Sequence, residues 1–296
     1  MQDFVLSCES TADISAEKFA EIDVEYICFH YYLNDVDHPD DLGKSMSFPD
    51  FYQAMVDGAD TRTAAVGTGD YTEFFRKFLE QGRDILHCCL SSGISSTYES
   101  ACIAAEDLRK EFPGRRIYIV DTLTASAGFG LVMQIVSDKR KEGMGIDELH
   151  EWIEANKLRF AARFFSTDLT FFIKGGRVTP TAGFVGNLLG ICPLLYIDQA
   201  GKLIPGEKVR SKKKVTKRIV ERMIEECVDG ENYSGKVFIS HSACEEDAKA
   251  VAALIQERCP NVQTPEIFWI GTTIGSHTGP GTVALFYECA ESRTEA

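Results

Sequence analysis

Residues 85–100 read ILHCCLSSGISSTYES, and this stretch decides the fold. An apolar run comes first, serines around one glycine follow, and helix-compatible residues close the stretch. That order predicts a strand, a loop and the beginning of a helix. Ligands of parallel α/β sheets bind where strands end and loops lead into helices, so this loop is a candidate binding site.

The loop carries groups that suit an anion. Free backbone N–H groups at a helix N-terminus favour negative charge, and Gly93 lets the backbone approach a ligand closely. Hydroxyl donors are added by Ser91, Ser92, Ser95 and Ser96. The same serines are also typical helix caps, which is the plain structural alternative.

Two other kinds of chemistry lack their motifs. A serine nucleophile at a strand-to-helix elbow needs G-x-S-x-G, which is absent. The pattern G-x-x-x-x-G-K-[ST] is absent too, and no glycine pair has the third member of G-x-G-x-x-G. The sequence therefore disfavours a nucleophile and a nucleotide site.

Short apolar runs alternate with helix-period segments in the first half of the chain. The predicted strands are DFVLS, VEYICFHYYL, DILHCCL and RIYIVD, and the predicted helices are SAEKFAEI, YTEFFRKFLEQG and TYESACIAAEDLRKEF. Such alternation predicts a parallel sheet covered by helices. An amphipathic segment at 146–160 closes this half, and we place a domain boundary near Leu158.

The rest of the chain predicts a second α/β unit. GKLIPGEKVR is typical of a hairpin arm, and it precedes a helix predicted at 212–227, the strand KVFISH, the helix CEEDAKAVAALIQERC and the strand EIFWIG. The expected fold class is α/β with two domains, at residues 1–158 and 159–296.

Composition excludes several classes of protein. A formal net charge of −14 argues against nucleic-acid binding, which needs a basic face. The longest nearly apolar run, residues 182–197, is broken by Gly, Asn and Pro and is shorter than the roughly 20 residues of a membrane span. The N-terminus lacks a basic and then apolar leader, so we expect a cytosolic protein. The ten cysteines form no C-x-x-C pair, and we expect mostly buried thiols.

The serine-rich stretch resembles a known signature. SSGISSTYESA is similar to S-S-x-[LI]-S-G-T-Y-x-S-A of the DegV-like fatty-acid-binding family. Other segments resemble that family's blocks in the same order along the chain: ESTADIS, RTAAV, VDTLTASAGFG, DLTFFIKGGRV, GKLIPGEKVRSKKK and IGTTIGSHTGPGTVAL.

The resemblance implies a two-domain carrier that holds one long-chain fatty acid between its domains. A separate fatty acid kinase then phosphorylates the exposed carboxylate for phospholipid synthesis, so the chain itself is expected to be no enzyme and to need no cofactor. The blocks imply a head-group site at Thr63, Ser92, Gly93, Ser95 and His277.

Some positions depart from the family pattern. Cys8 and Glu9 stand for Thr and Asp, Ala64 and Ala65 for Ser and Gln, Ser96 for Gly and Thr122 for Ser. The lost Ser–Gln pair removes polar groups beside Thr63. We therefore expect a reshaped head-group pocket.

Elementary energetics fit such a ligand. A buried carboxylate needs hydrogen bonds or a cation, and each buried methylene contributes about 0.8 kcal/mol. The segment 181–197, TAGFVGNLLGICPLLYI, has the composition of a tunnel wall, but a plain domain core has the same composition.

Cations are concentrated between residues 208 and 218. This basic island contains seven Lys or Arg residues and no acid. It is either a solvated face or a surface that steers a partner. The resemblance places a kinase-contacting arginine at Arg177, so the expected docking residues are Arg177, Lys208, Arg210, Lys212 and Lys213.

Two other functions stay open at this point. One is hydrolysis or transfer of a lipid ester or acyl phosphate through Ser92, Ser95 or His277. The other follows from a likeness to dihydroxyacetone kinase subunits and predicts a small polar ligand bound covalently through a histidine.

Overall fold

The computed structural model describes residues 4–179 and 190–293. Before residue 158 the elements are β1 (Phe4–Glu9), α1 (Ala16–Glu21), β2 (Glu25–Ile27), β3 (His30–Leu33), β4 (Val36–Pro39), α2 (Phe48–Val56), β5 (Thr61–Ala64), α3 (Thr68–Leu79), β6 (Asp84–Cys89), α4 (Thr97–Glu111), β7 (Ile117–Asp121), α5 (Ala127–Lys141) and α6 (Ile146–Asn156).

The first half is built on a parallel sheet, as its alternating pattern predicts. The strand order is β2-β1-β6-β7, and every pairing is parallel. All residues of β1 and β6 are buried, which fits their mainly apolar sequences, because helices cover both faces of such a sheet.

The predicted strand VEYICFHYYL is wrong as a single element. Its beginning forms β2 in the parallel sheet, whereas its end forms β3, which pairs antiparallel with β4 and β5 in a separate sheet. Asn34 and Asp35 have positive φ angles of 49° and 66°, which suit the tight turn between β3 and β4.

After residue 158 a six-stranded mixed sheet dominates. Its elements are β8 (Phe160–Ser166), α7 (Thr170–Lys174), β9 (Ile191–Ile197), β10 (Leu203–Arg210), α8 (Lys212–Glu226), β11 (Phe238–His241), α9 (Glu245–Arg258), β12 (Glu266–Trp269), α10 (Thr272–Thr278) and β13 (Thr282–Glu288). The strand order is β10-β9-β8-β13-β11-β12, and β9 with β10 forms the predicted hairpin. The α/β fold class is confirmed.

Both faces of this sheet are buried, and alternate residues serve different cores. Phe164 and Phe286 join the core of the first half, whereas Phe165 and Leu285 pack beneath α8 and α9. Helix α5 packs against β8, β11 and β13 of this sheet, and a Cβ added to Gly128 would lie 2.4 Å from the Phe286 ring. A glycine is needed there for this close approach.

The predicted boundary near Leu158 falls at a short turn, residues 157–159, between α6 and β8. Contacts cross it, since the Tyr52 hydroxyl donates to the Ile270 carbonyl at 2.8 Å. The division at residues 1–158 and 159–296 therefore stays a prediction. Within the described residues, every helix is too short or too polar to traverse a bilayer.

Candidate functional site

A cavity of about 300 Å³ lies between the loop ends of the parallel sheet and the inner face of the six-stranded sheet. Its wall is mainly apolar and comes from both halves of the chain. The apolar wall includes Phe29, Leu90, Ile94, Phe164, Phe172, Ile197, Leu203, Ile270, Ile274 and Phe286.

Two of the predicted head-group residues, Thr63 and His277, meet at one end of this cavity, which we call the head-group end after that prediction. Thr63 lies in β5 and His277 in α10, and the Thr63 hydroxyl is 2.7 Å from His277 Nε2. The other ring nitrogen, Nδ1, is buried and has no hydrogen-bond partner. His277 therefore pairs with Thr63 and with neither Ser92 nor Ser95.

The first glycine of the Lys174–Arg177 turn makes room for the imidazole. A Cβ on Gly175 would lie 2.4 Å from His277 Nδ1, so the ring packs directly against the glycine backbone. Gly176 has a φ of +71°, a left-handed conformation that favours glycine. Glycine is thus required for a steric reason at position 175 and for a conformational reason at position 176.

The surroundings of His277 keep its ring neutral near neutral pH. Burial, and to a smaller extent the charge of Arg177, lowers the pKa of His277 to about 4. A ligand carboxylate at this end would act in the opposite direction, because a nearby negative charge stabilises the imidazolium.

Arg177 lines the same end of the cavity. Its Nη1 donates to the Gly175 carbonyl at 2.6 Å and its Nε to the Ile94 carbonyl at 3.3 Å. No described carboxylate forms an ion pair with it, and burial lowers its pKa. The guanidinium is a desolvated cation directed at the cavity, a position that its predicted docking role did not suggest.

The serine loop, defined as residues 90–96, divides its residues between two tasks. Ser95 and Ser96 line the cavity. Ser91 donates to the Gly201 carbonyl at 2.8 Å, and a Cβ on Gly93 would lie 2.5 Å from the Ala200 carbonyl oxygen, so both hold the turn between β9 and β10.

Ser92 faces away from the cavity. Its side chain is exposed, and its backbone N–H donates to Asp121 Oδ1 at 3.2 Å. The structure thus brings together Thr63, Ser95 and His277 in the cavity wall, whereas Ser92 and Gly93 do not line the cavity.

Four polar residues of the wall were not singled out from the sequence. They are Ser126, Thr273, Thr278 and Thr282, and the hydroxyls of Thr273 and Thr278 are buried without a partner. Their only sequence signal is their place in the blocks VDTLTASAGFG and IGTTIGSHTGPGTVAL.

The predicted tunnel segment is partly beyond the described residues, since 181–189 lie outside them. From its remainder, Ile197 lines the cavity, whereas Leu194 packs on the opposite face of the sheet. The described part of this segment therefore supplies both cavity wall and domain core.

The basic island is less uniformly available than its sequence suggests. Lys212 pairs with Asp247 at 2.6 Å and Arg218 with Glu207 at 2.7 Å. Lys213, Lys214 and Lys217 are exposed and form no ion pair with any described carboxylate. The first turns of α8 thus carry most of the uncompensated charge.

A second pocket, of about 300 Å³, reaches the head-group end from outside. It shares Thr63, Arg177 and His277 with the inner cavity and adds Arg62 and Lys174 at its rim. Lys174 is paired with Asp60. The polar end of the cavity is consequently approachable by a partner.

Among the described residues, one group has metal-ligand chemistry: Glu9, His87 and Cys89, all buried. Both carboxylate oxygens of Glu9 already accept hydrogen bonds, from the Tyr71 hydroxyl and the Leu90 N–H. This geometry fits a hydrogen-bonded cluster better than an open coordination site.

The fold and the site define an α/β protein with an internal apolar cavity that is polar at one end. A family model described as "Uncharacterised protein, DegV family" matches residues 4–290. The chain belongs to the DegV family, and the resemblance seen in the sequence is confirmed.

Known relatives cover nearly the whole chain. It is 34% identical over 287 residues to a DegV domain-containing protein of Clostridium perfringens, covering 97% of this chain and 98% of that one. It is 29% identical to a fatty acid-binding protein of Thermotoga maritima, covering 96% and 97%. The crystal structure of a DegV lipid binding protein from Thermotoga maritima matches with a TM-score of 0.84 at 28% identity, covering 99% and 100%.

Proposed function

We propose that the protein binds a single long-chain fatty acid in the inner cavity and acts as a carrier without catalysing a reaction itself. The observation that carries this proposal is the apolar cavity that ends at Thr63, Arg177 and His277. Relatives named as lipid-binding and fatty acid-binding support the same ligand class.

The polar end meets the needs of a carboxylate. A buried carboxylate requires donors or a cation to offset its lost hydration. Ser95 and Thr63 offer hydroxyl donors, and Arg177 offers a charge that no described carboxylate neutralises. Fixed groups of this kind favour an acid over an ester or an alcohol of the same length.

The acyl chain would be held by the apolar wall. At about 0.8 kcal/mol per buried methylene, a dozen methylenes contribute on the order of 10 kcal/mol before entropic losses.

Presentation of the carboxylate to a separate kinase is the second part of the proposal. The outer pocket supports it, because Thr63, Arg177 and His277 line that pocket as well as the inner cavity. A carrier role is also favoured over hydrolysis, since His277 bonds to Thr63 and does not activate Ser92 or Ser95.

The first test is the content of the purified protein. We expect organic extraction and mass spectrometry to find a long-chain fatty acid at about one equivalent. Protein that lacks lipid and refuses added fatty acid would refute the proposal. A covalent adduct on a histidine would instead support a small polar ligand, and turnover of an ester or acyl phosphate by the chain alone would support an enzyme.

The second test removes a head-group donor or its partner. Thr63→Val deletes a hydroxyl donor, and His277→Leu deletes the Nε2 partner that orients this hydroxyl. Each should weaken fatty-acid binding tenfold or more, because a hydrogen bond to a charged group contributes roughly 1.5 to 3 kcal/mol. Calorimetric titration of delipidated protein would measure this. Thr264→Val, at an exposed position, is the matched control. Equal affinities in all of these variants would remove Thr63 and His277 from the site.

Kinase docking is tested separately. Lys213→Glu with Lys214→Glu should slow kinase-dependent phosphorylation several-fold and leave fatty-acid affinity unchanged, because exposed charges act on partner encounter and are screened by salt. Lys110→Glu, an exposed charge on α4, is the control. Arg177→Gln should reduce both quantities if Arg177 holds the carboxylate, and phosphorylation alone if it only contacts the kinase.

A further inference from the structure

Glu9 is a fully buried carboxylate at the end of β1, directly behind the serine loop. Its Oε2 accepts the Leu90 backbone N–H at 2.8 Å, at the first residue of the loop. Its Oε1 accepts the Tyr71 hydroxyl at 2.6 Å. The side chain therefore joins β1 to the loop and to α3.

The same network reaches the other end of the loop. The Tyr71 oxygen lies 2.6 Å from the Thr97 hydroxyl oxygen, at the first residue of α4. Tyr71 has one hydroxyl hydrogen and donates it to Glu9, so Thr97 is the donor in this second bond. Glu9 is thereby connected to both ends of the serine loop.

A charged group is an expensive choice for this position if stability were its only purpose. Burying a carboxylate loses hydration, and well-packed apolar residues often replace buried ionic groups without loss of stability. The nearest cationic candidate is His87, whose Nε2 lies 3.5 Å from Oε1, while its Nδ1 lies 2.9 Å from the Ser7 hydroxyl. A carboxylate has two strong acceptor oxygens, and here they bind two separate elements, the serine loop and α3.

The loop fixed in this way carries two parts of the head-group end. Ser95 lines the cavity, and the Ile94 carbonyl accepts the Nε of Arg177 at 3.3 Å. A displacement of the loop would therefore move a hydroxyl donor and also release one anchor of the guanidinium.

We propose that Glu9 is the positioning residue of the head-group end. It touches no ligand, but it holds the serine loop so that Ser95 and the acceptor of Arg177 are in place before a carboxylate arrives. This role rests on the proposed function, and it predicts a defect specific to the ligand's charged end.

The test compares two ligands of equal chain length, hexadecanoic acid and hexadecanol. Glu9→Met should lower affinity for the acid about tenfold or more and change affinity for the alcohol by less than about twofold. Tyr71→Phe removes the connection to Thr97 but leaves the bond from Leu90 to Glu9. It should therefore lower affinity for the acid by a smaller factor. Glu9→Gln keeps the shape and one acceptor oxygen, and it serves if the methionine variant does not fold.

Ser7→Ala is the matched control, since Ser7 is also buried in β1 but bonds to His87 and not to the loop. It should lower affinity for both ligands equally or not at all. Equal losses for acid and alcohol in Glu9→Met and Glu9→Gln, or no loss in either, would overturn the proposal.

A second readout needs no ligand. Amide hydrogen exchange at residues 90–97 of the lipid-free protein should accelerate in Glu9→Met relative to β7 and remain as in wild type in Ser7→Ala. Unchanged exchange at Leu90 in Glu9→Met would refute the positioning role, whether or not wild-type protein binds either ligand. If wild-type protein bound neither ligand, that result alone would refute only the fatty-acid function.

Discussion

The head-group end is built from two regions with opposite properties. The serine loop contributes neutral hydroxyls and is tied to its neighbours by Glu9, Asp121 and the turn between β9 and β10. The Lys174–Arg177 turn with α10 contributes the ionisable groups His277 and Arg177, both desolvated. The serine loop sets the shape of this end, and the other region supplies a positive charge that a bound carboxylate would neutralise.

The largest expected effect on the serine loop comes from a substitution at Gly93. A Cβ there would lie 2.5 Å from the Ala200 oxygen and 2.6 Å from Gly201, and both contacts are with backbone that cannot rotate away. Gly93→Ala should lower the free energy of unfolding by about 1 to 3 kcal/mol, measured by denaturant titration of the lipid-free protein.

The control for Gly93 is Gly69, in α3, where an added Cβ meets nothing within 4 Å. Gly69→Ala should stabilise by about 0.5 to 1 kcal/mol, because alanine is the better helix residue. Similar effects of the two substitutions would mean that the loop does not depend on its contact with the hairpin turn.

A substitution at Gly175 affects the charged region instead. Its φ of −72° suits alanine, so the expected effect is steric displacement of His277 from Thr63. We expect about tenfold weaker fatty-acid binding, equivalent to about 1.4 kcal/mol, with little change in unfolding.

A double-mutant cycle tests this interpretation of Gly175. Combined with Thr63→Val, Gly175→Ala should add almost nothing, because both substitutions break the same hydrogen bond. Additive losses would show that Gly175 acts on the ligand by another route.

Sequence patterns predicted the repeating parts of this molecule well. The alternation of buried strands and amphipathic helices in the first half yields the parallel sheet, because that pattern reports burial directly. The division of VEYICFHYYL was not predictable from apolar character, since both strands share it. Thr63 and His277 were nominated by resemblance, and the structure adds the bond between them.

Side-chain direction within irregular segments was beyond sequence reasoning. Ser92 and Ser95 are the same residue type in the same loop, and the path of the loop decides that Ser95, and not Ser92, lines the cavity. Glu9 and Tyr71 are 62 positions apart, so no local pattern reports their bond. For Arg177, proximity to the cavity depends on how the two halves pack.

A further expected effect is confined to acid pH, and it separates the charged region from the neutral one. The pKa of His277 falls from an ordinary value of 6.5 to about 4 on folding. Between these values the unfolded chain binds a proton that the folded chain does not, so this residue makes the protein less stable as pH falls from about 6.5 to 4. Above 6.5 the contribution disappears. The difference in unfolding free energy between wild type and His277→Leu should therefore vary with pH only in this window, whereas Ser95→Ala should give a difference that is flat.

Arg177 adds a finer measurement of the same kind. Burial is the larger cause of the lowered pKa of His277, and Arg177 is the smaller one. Arg177→Met should consequently raise the pKa of His277 only part of the way towards 6.5, as followed by the imidazole proton resonances with His277→Leu for assignment. A complete return to 6.5 would mean that the charge of Arg177, not desolvation, dominates this end of the cavity. No movement would mean that the guanidinium is too well screened to act on the ring, and the role of Arg177 as counter-charge to a carboxylate would then lose its electrostatic basis.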